Sequence, residues 1–217
     1  MRKDLAQSAL YEECYRFQER RSNVRFVVWI VLLFLAVYGF RLYWVKNFGG
    51  VQVDGTSMCN TLQDEDQLLM KYVKDGREAK RGDVIVVYVG DYAECASVKS
   101  GYLIKRLIAV EGDIVQCKDG QVSIQYAGTE EFVKINEPYA YYRTAQLKVD
   151  YDFGPYKVGA GEIFFLGDNR TNSMDSRYDV VNGSHLKNRL YRADDIFGIV
   201  PEWAIKHQKI LEKIYFN

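Results

Sequence analysis

The chain has 217 residues, room for one medium-sized domain with an appendage, and its 48% apolar content excludes a disordered polymer. Basic and acidic residues number 29 each, so the formal net charge is zero and nothing in the overall balance calls for a nucleic-acid partner. With 17 Tyr, 11 Phe and 17 Gly against 3 Pro, the composition suits strands and turns better than a helical bundle.

From Phe26 to Phe40 the chain carries no charge, and Leu42 to Val45 prolongs the run past Arg41. Together they approach the ~20 residues needed to cross the hydrocarbon core of a bilayer. Arg2, Lys3, Arg16, Arg20, Arg21 and Arg25 precede the run, whereas only Lys46 is basic between Arg41 and Lys71. The positive-inside rule then expects a cytoplasmic N-terminal segment (1–25), a transmembrane anchor (26–45) and an extracytoplasmic domain (46–217) of a cell-membrane protein. Trp29, Tyr38, Tyr43 and Trp44 fit the interfaces. A cleaved signal peptide fits less well, because the region before the span is long and no A-x-A site follows promptly.

Beyond the span, the pattern predicts strands at Gln67–Val73, Asp83–Val89, Tyr102–Val110, Ile114–Cys117, Gln121–Gln125 and Glu162–Leu166, punctuated by Gly and Asp. Asp119-Gly120 between two of them is a hairpin signal. Ile205 to Ile214 has the spacing of a short C-terminal helix. The expected fold is mainly β: an antiparallel sheet domain behind one N-terminal membrane helix. Cys14, Cys59, Cys95 and Cys117 lack CxxC spacing and a histidine cluster, so no metal site and no cofactor is expected.

Ser57, in Val53-Asp54-Gly55-Thr56-Ser57-Met58, stands about a dozen residues past the span. A serine hydroxyl needs a base to become a nucleophile. The two histidines, His185 and His207, fall late in the chain and beside no convincing carboxylate, which disfavours a Ser-His-Asp triad. Lys105 is the alternative. It lies in the apolar strand Tyr102–Val110, where desolvation would let its amine accept a proton; alternation puts it with Leu103 and Leu107, and sends Arg106 to the other face to pair with a carboxylate. An edge-strand lysine guarding against aggregation is the plainer reading of that strand by itself. A third segment, Gly167 to Arg177, follows the apolar strand Ile163 to Leu166 and offers hydroxyls and the Asp175/Arg177 pair.

In order and spacing these segments resemble the boxes of bacterial type I signal peptidases, in the single-span Gram-positive form. Ser57-Met58 with Thr61-Leu62 resembles the nucleophile box, and Arg81-Gly82-Asp83-Val84 the strand box after it. Lys105-Arg106 with Gly112-Asp113 resembles the lysine box, and Gly167 to Arg177 the last one. The resemblance implies a Ser-Lys endopeptidase fold and activity, with Ser57 as nucleophile, Lys105 as general base and Ser173 orienting the lysine. Asp168, Arg170, Asp175 and Arg177 would brace the site. The Ser57 N–H would serve the oxyanion hole, where Gly55 supplies no hydroxyl. It also implies secretory preproteins as partners, cut at Ala-x-Ala-like sites at the surface of a lipid bilayer. Two departures stand out: Asn60 where the family usually has proline, expected to loosen the nucleophile loop, and Thr171 where a carboxylate is usual. Asp179 to Arg192 is also longer than the family pattern implies. The competing readings are a catalytically weak assembly factor, for instance in surface-pilus biogenesis, a self-cleaving repressor-type protease, and an anchored binding module.

Overall fold

In a computed structural model the chain divides into two units, Met1–Asn47 and Phe48–Asn217. The structure describes residues 2–92, 95, 98, 100–144, 152–177, 180–181, 184–185 and 191–215. The first unit is a single helix, α1 (Arg2–Asn47). It contains one stretch long and apolar enough to cross a membrane, and the side chains of that stretch are exposed rather than buried in a core.

The second unit is built on a seven-stranded antiparallel sheet in the order β1-β2-β13-β3-β4-β9-β12. Its strands are β1 (Phe48–Gln52), β2 (Gln67–Tyr72), β3 (Val84–Tyr88), β4 (Tyr102–Val110), β9 (Glu162–Leu166), β12 (Tyr191–Arg192) and β13 (Ile196–Val200). A four-stranded sheet, β7-β6-β5-β8, comprises β5 (Ile114–Lys118), β6 (Gln121–Gln125), β7 (Phe132–Lys134) and β8 (Phe153–Lys157). β10 (Val180–Val181) and β11 (Ser184–His185) pair antiparallel as a separate two-stranded sheet. The mainly antiparallel β fold read from the sequence is the one observed.

The six strands predicted from alternation form with ends shifted by no more than a residue. At the β5–β6 turn Asp119 and Gly120 both have positive φ, 52° and 67°, as a two-residue turn matched to strand twist requires. β1, β8 and β13 carry glycine or proline inside short runs, and their alternation is correspondingly faint. The C-terminal helix is two helices: α2 (Glu202–Lys206) and α3 (Gln208–Tyr215) flank His207, whose φ of −110° and ψ of 19° break the helical path.

Two cores hold this unit. One gathers Ile85, Val87, Leu107, Ile163 and Phe165 on one side of the large sheet. The other buries Ile108, Phe164 and Leu166 of that sheet against Val115, Val122 and Ile124 of the small one. Arg81, ahead of β3, donates to both carboxylate oxygens of the fully buried Asp113, ahead of β5, at 2.7 and 2.8 Å. Asp113 also accepts the N–H groups of Val110 and Ala127, so one carboxylate ties together the loops where the sheets meet.

Candidate active site

Ser57 lies in a turn between β1 and β2, held at both ends. Gly55 adopts φ +88° and gives its N–H to Asp64 Oδ1 at 2.7 Å, so that N–H is committed to the loop. The turn is also fastened to the segment after β9. Asn169 donates its backbone N–H to the Ser57 carbonyl at 2.9 Å and its side-chain amide to the Thr56 carbonyl at 3.1 Å; Asn172 reaches the Thr56 hydroxyl at 2.9 Å. Among the described residues the Ser57 N–H has no acceptor, which leaves it available to a ligand oxygen.

Lys105 enters from β4, opposite Ile85 of β3, and its neighbours Leu103 and Leu107 pack with Ile85 and Val87. Only 2% of its surface is exposed. Its Nζ donates to Ser57 Oγ at 2.7 Å and to the Ile104 carbonyl at 2.9 Å. Burial lowers its pKa to about 8, against the pull of Asp175 and Asp168, whose charges favour the ammonium form. The edge-lysine alternative is set aside, because β4 lies between β3 and β9.

The predicted bracing residues are all buried. Asp175 and Arg177 form a bidentate pair at 2.8 and 2.9 Å, and Asp175 also accepts the Gly167 N–H at 3.0 Å. Burial alone would raise the Asp175 pKa; the Arg177 charge and these bonds outweigh it and hold the carboxyl below its usual range. Arg106 pairs with Asp168 at 2.8 and 2.6 Å and donates to the Gly82 carbonyl, linking three sequence segments. Asp168 additionally accepts the Thr61 hydroxyl. Arg170 pairs with Glu137, and the guanidinium of Arg106 stacks 3.9 Å from the centre of the Tyr139 ring. Glu137 and Tyr139 sit in a loop with no sequence motif, so nothing in the primary pattern marked them.

Ser173 differs from the expectation. Its hydroxyl oxygen is buried beside Gly167, near the Asp175 carboxylate but outside hydrogen-bonding geometry, and no bond joins it to Lys105. Besides Ser57 Oγ, the partner of the amine among the described residues is the Ile104 carbonyl. Gly167 is required here, since a Cβ at that position would stand 2.1 Å from Ser173 Oγ and 2.6 Å from the Ser57 carbonyl oxygen.

Asn60 also departs from what its residue type suggested. Its φ is +94°, a conformation closed to proline, and its side-chain amide donates to the Tyr139 carbonyl at 3.2 Å. The loop is therefore anchored rather than loosened. Thr171, in place of the usual carboxylate, donates to Asn169 Oδ1 at 3.0 Å and so steadies the residue that grips the nucleophile turn. Most of the long Asp179–Arg192 stretch lies outside the described residues.

Ser57 and Lys105 open into a cleft of about 810 Å³ lined by strands β1, β2, β3, β4 and β13, with Val51, Val53, Met58, Val86 and Ile104 among its apolar walls. A desolvated amine on a serine hydroxyl, an unoccupied N–H and an apolar channel can together perform acyl transfer.

Comparison with known proteins gives the family. Residues 23–205 match the family model described as signal peptidase, peptidase S26. The chain is 33% identical to signal peptidase I P of Bacillus subtilis subsp. natto over 199 residues, 88% of this chain and 98% of that one. It is 37% identical to signal peptidase I of Bacillus licheniformis over 155 residues, 69% of this chain and 76% of the relative. A crystal structure of a signal peptidase I from Enterococcus faecalis V583 aligns with a TM-score of 0.39 at 24% identity, over 57% of this chain and 97% of that chain. With a family model covering most of its length and a relative matched over 88% of this chain and 98% of its own, the chain belongs to the signal peptidase family, peptidase S26, and is a hydrolase of that family.

Proposed function

We propose that this hydrolase removes signal peptides through a Ser57–Lys105 dyad, cutting preproteins after small residues at the first and third positions before the scissile bond. The observation that carries the reading is the 2.7 Å contact between Lys105 Nζ and Ser57 Oγ, made by a lysine that burial brings to a pKa of about 8. In its neutral form the amine takes the Ser57 proton as Oγ bonds to the scissile carbonyl carbon. The resulting ammonium returns that proton to the leaving amine as the C–N bond breaks, which leaves an acyl ester on Ser57. Water attacks the ester with Lys105 accepting its proton and passing it to Ser57 Oγ as the C–O bond breaks, so the signal peptide leaves with a C-terminal carboxylic acid and the dyad is restored. The Ser57 N–H, which has no acceptor among the described residues, supports the oxyanion; one such donor is worth about 3 kcal/mol.

Val53, Met58 and Ile104 line the cleft beside Ser57, and an apolar wall of this kind suits small apolar side chains there. The apolar stretch of α1 would anchor the enzyme in the cell membrane, with the basic N-terminal segment cytoplasmic and the β unit on the outer side, where a preprotein emerges. The test is cleavage of a preprotein bearing an Ala-x-Ala site, followed by mass, with Ser57→Ala and Lys105→Ala alongside. A cut at that site by the parent alone is expected; a Lys105→Ala protein that still cuts at the parental rate would sink the dyad.

A further inference from the structure

The catalytic cleft extends from Ser57 and Lys105 as far as Tyr72, Tyr102 and Phe197. Its far end is a row of aromatic rings: Tyr72 on β2 against Phe197 on β13 at 5.3 Å, Phe197 against Tyr102 on β4 at 5.2 Å, and Tyr102 against Tyr88 on β3 at 5.2 Å. Beyond it opens a second concavity of about 770 Å³, and Tyr72, Tyr102 and Phe197 line both spaces. The row therefore forms the sill between them.

Three features of the backbone hold these rings in place. The register of β13 slips between Ile196 and Gly198, so Phe197 is the extra residue of a bulge, the device by which a strand re-aims one side chain. A Cβ on Gly49 would stand 2.2 Å from the Tyr72 hydroxyl and 2.6 Å from its Cζ, so β1 leaves that position bare to seat the ring. Gly90 does the same for Tyr88, with 2.6 Å to its hydroxyl. Yet Tyr88, Tyr102 and Phe197 retain 37, 36 and 40% of their surface in solvent. Large rings fixed in place but left uncovered, beside a cleft, are the anatomy of a binding surface with its ordering cost already met.

Building on the proposed function, we infer that this row is a substrate subsite for apolar side chains of the signal peptide, at the fourth to sixth positions before the scissile bond. Tyr102 lies three residues from Lys105 on one strand, about 10 Å at the rise of an extended chain. A peptide laid along the cleft with its small residues between Ser57 and Ile104 reaches the rings after about the same number of residues. Signal peptides carry an apolar run ahead of their cleavage region, and ring faces and edges favour apolar partners over charged ones.

The test is binding of fluorescent peptides to the full-length Ser57→Ala protein by anisotropy, which needs no turnover. Each peptide holds Ala-x-Ala constant and places Leu or Asp in turn at the fourth, fifth or sixth position before the bond, or at the second position after it. Leu is expected to bind about tenfold more tightly than Asp at one or more of the upstream positions. That ratio should fall below about twofold when Phe197→Ala is added, and likewise with Gly49→Ala, which dislodges Tyr72 without removing a ring; circular dichroism confirms folding of each. A ratio near one at all three upstream positions overturns the subsite. So does a ratio that survives both substitutions, or one found only after the bond. If the Ser57-intact protein leaves every peptide uncut while the Ser57→Ala protein keeps the ratio, the dyad reading fails and the subsite stands.

Discussion

At pH 7 a lysine with a pKa of about 8 is neutral in roughly one molecule in ten, and that fraction sets the supply of active base. Because the neutral form is the one that works, kcat/KM should rise nearly tenfold per pH unit below about 8 and level off above it; an inflection near 6.5 would instead point to a histidine. Lys105→Arg should be inactive across the range, since a guanidinium does not release its proton. At Asn60 the φ of +94° leads to a second expectation: Asn60→Pro, a substitution towards the family pattern, should lower stability by more than about 1 kcal/mol in chemical denaturation. Ser57, Lys105 and the Asp175/Arg177 pair stand out in the sequence through the order and spacing of their segments together, since the strand around Lys105 by itself reads more simply as one with an edge lysine. Glu137 and Tyr139 do not, because the partners that give them meaning, Arg170 and Arg106, lie some thirty residues away and no periodicity connects them. Ser173 shows the other limit: the segment offers a hydroxyl that could reach the lysine, and the backbone instead turns it against Gly167.

Among the elements, β4 was legible throughout its length, since a nine-residue apolar strand broken by two basic residues has few other readings. β13 was harder, because a bulge at Phe197 disrupts the alternation by which a strand is recognised. The break at His207 was invisible for a similar reason: the apolar spacing from Ile205 to Ile214 persists across it, while the backbone kinks. The β5–β6 hairpin depends on turn chemistry that the sequence displayed openly. Gly120→Val places a branched side chain at φ +67° and should cost about 1–2 kcal/mol in a thermal or urea melt, with the register of both strands retained by their buried faces.

At the scale of the whole molecule, the two sheets are joined through apolar packing and through the carboxylate of Asp113, which accepts from Arg81, Val110 and Ala127. Asp113→Ala removes all of these acceptors from a fully buried position and should destabilise the β unit by about 3 kcal/mol, measured by urea denaturation. The sequence showed Gly112-Asp113 and Arg81-Gly82 as motifs but gave no sign that they meet, since 32 residues separate the two side chains. The helical unit has a consequence of a different kind. Its 46 residues amount to about 69 Å of rod, whereas the hydrocarbon of a bilayer is only about 30 Å thick. Were Phe26–Val45 to lie in the lipid, as proposed above, the helical residues before Phe26 would make a mast about 35 Å long. A dye or tag carried at its tip would ride well clear of the headgroups, out of reach of quenchers embedded in the membrane and within reach of machinery docked above it.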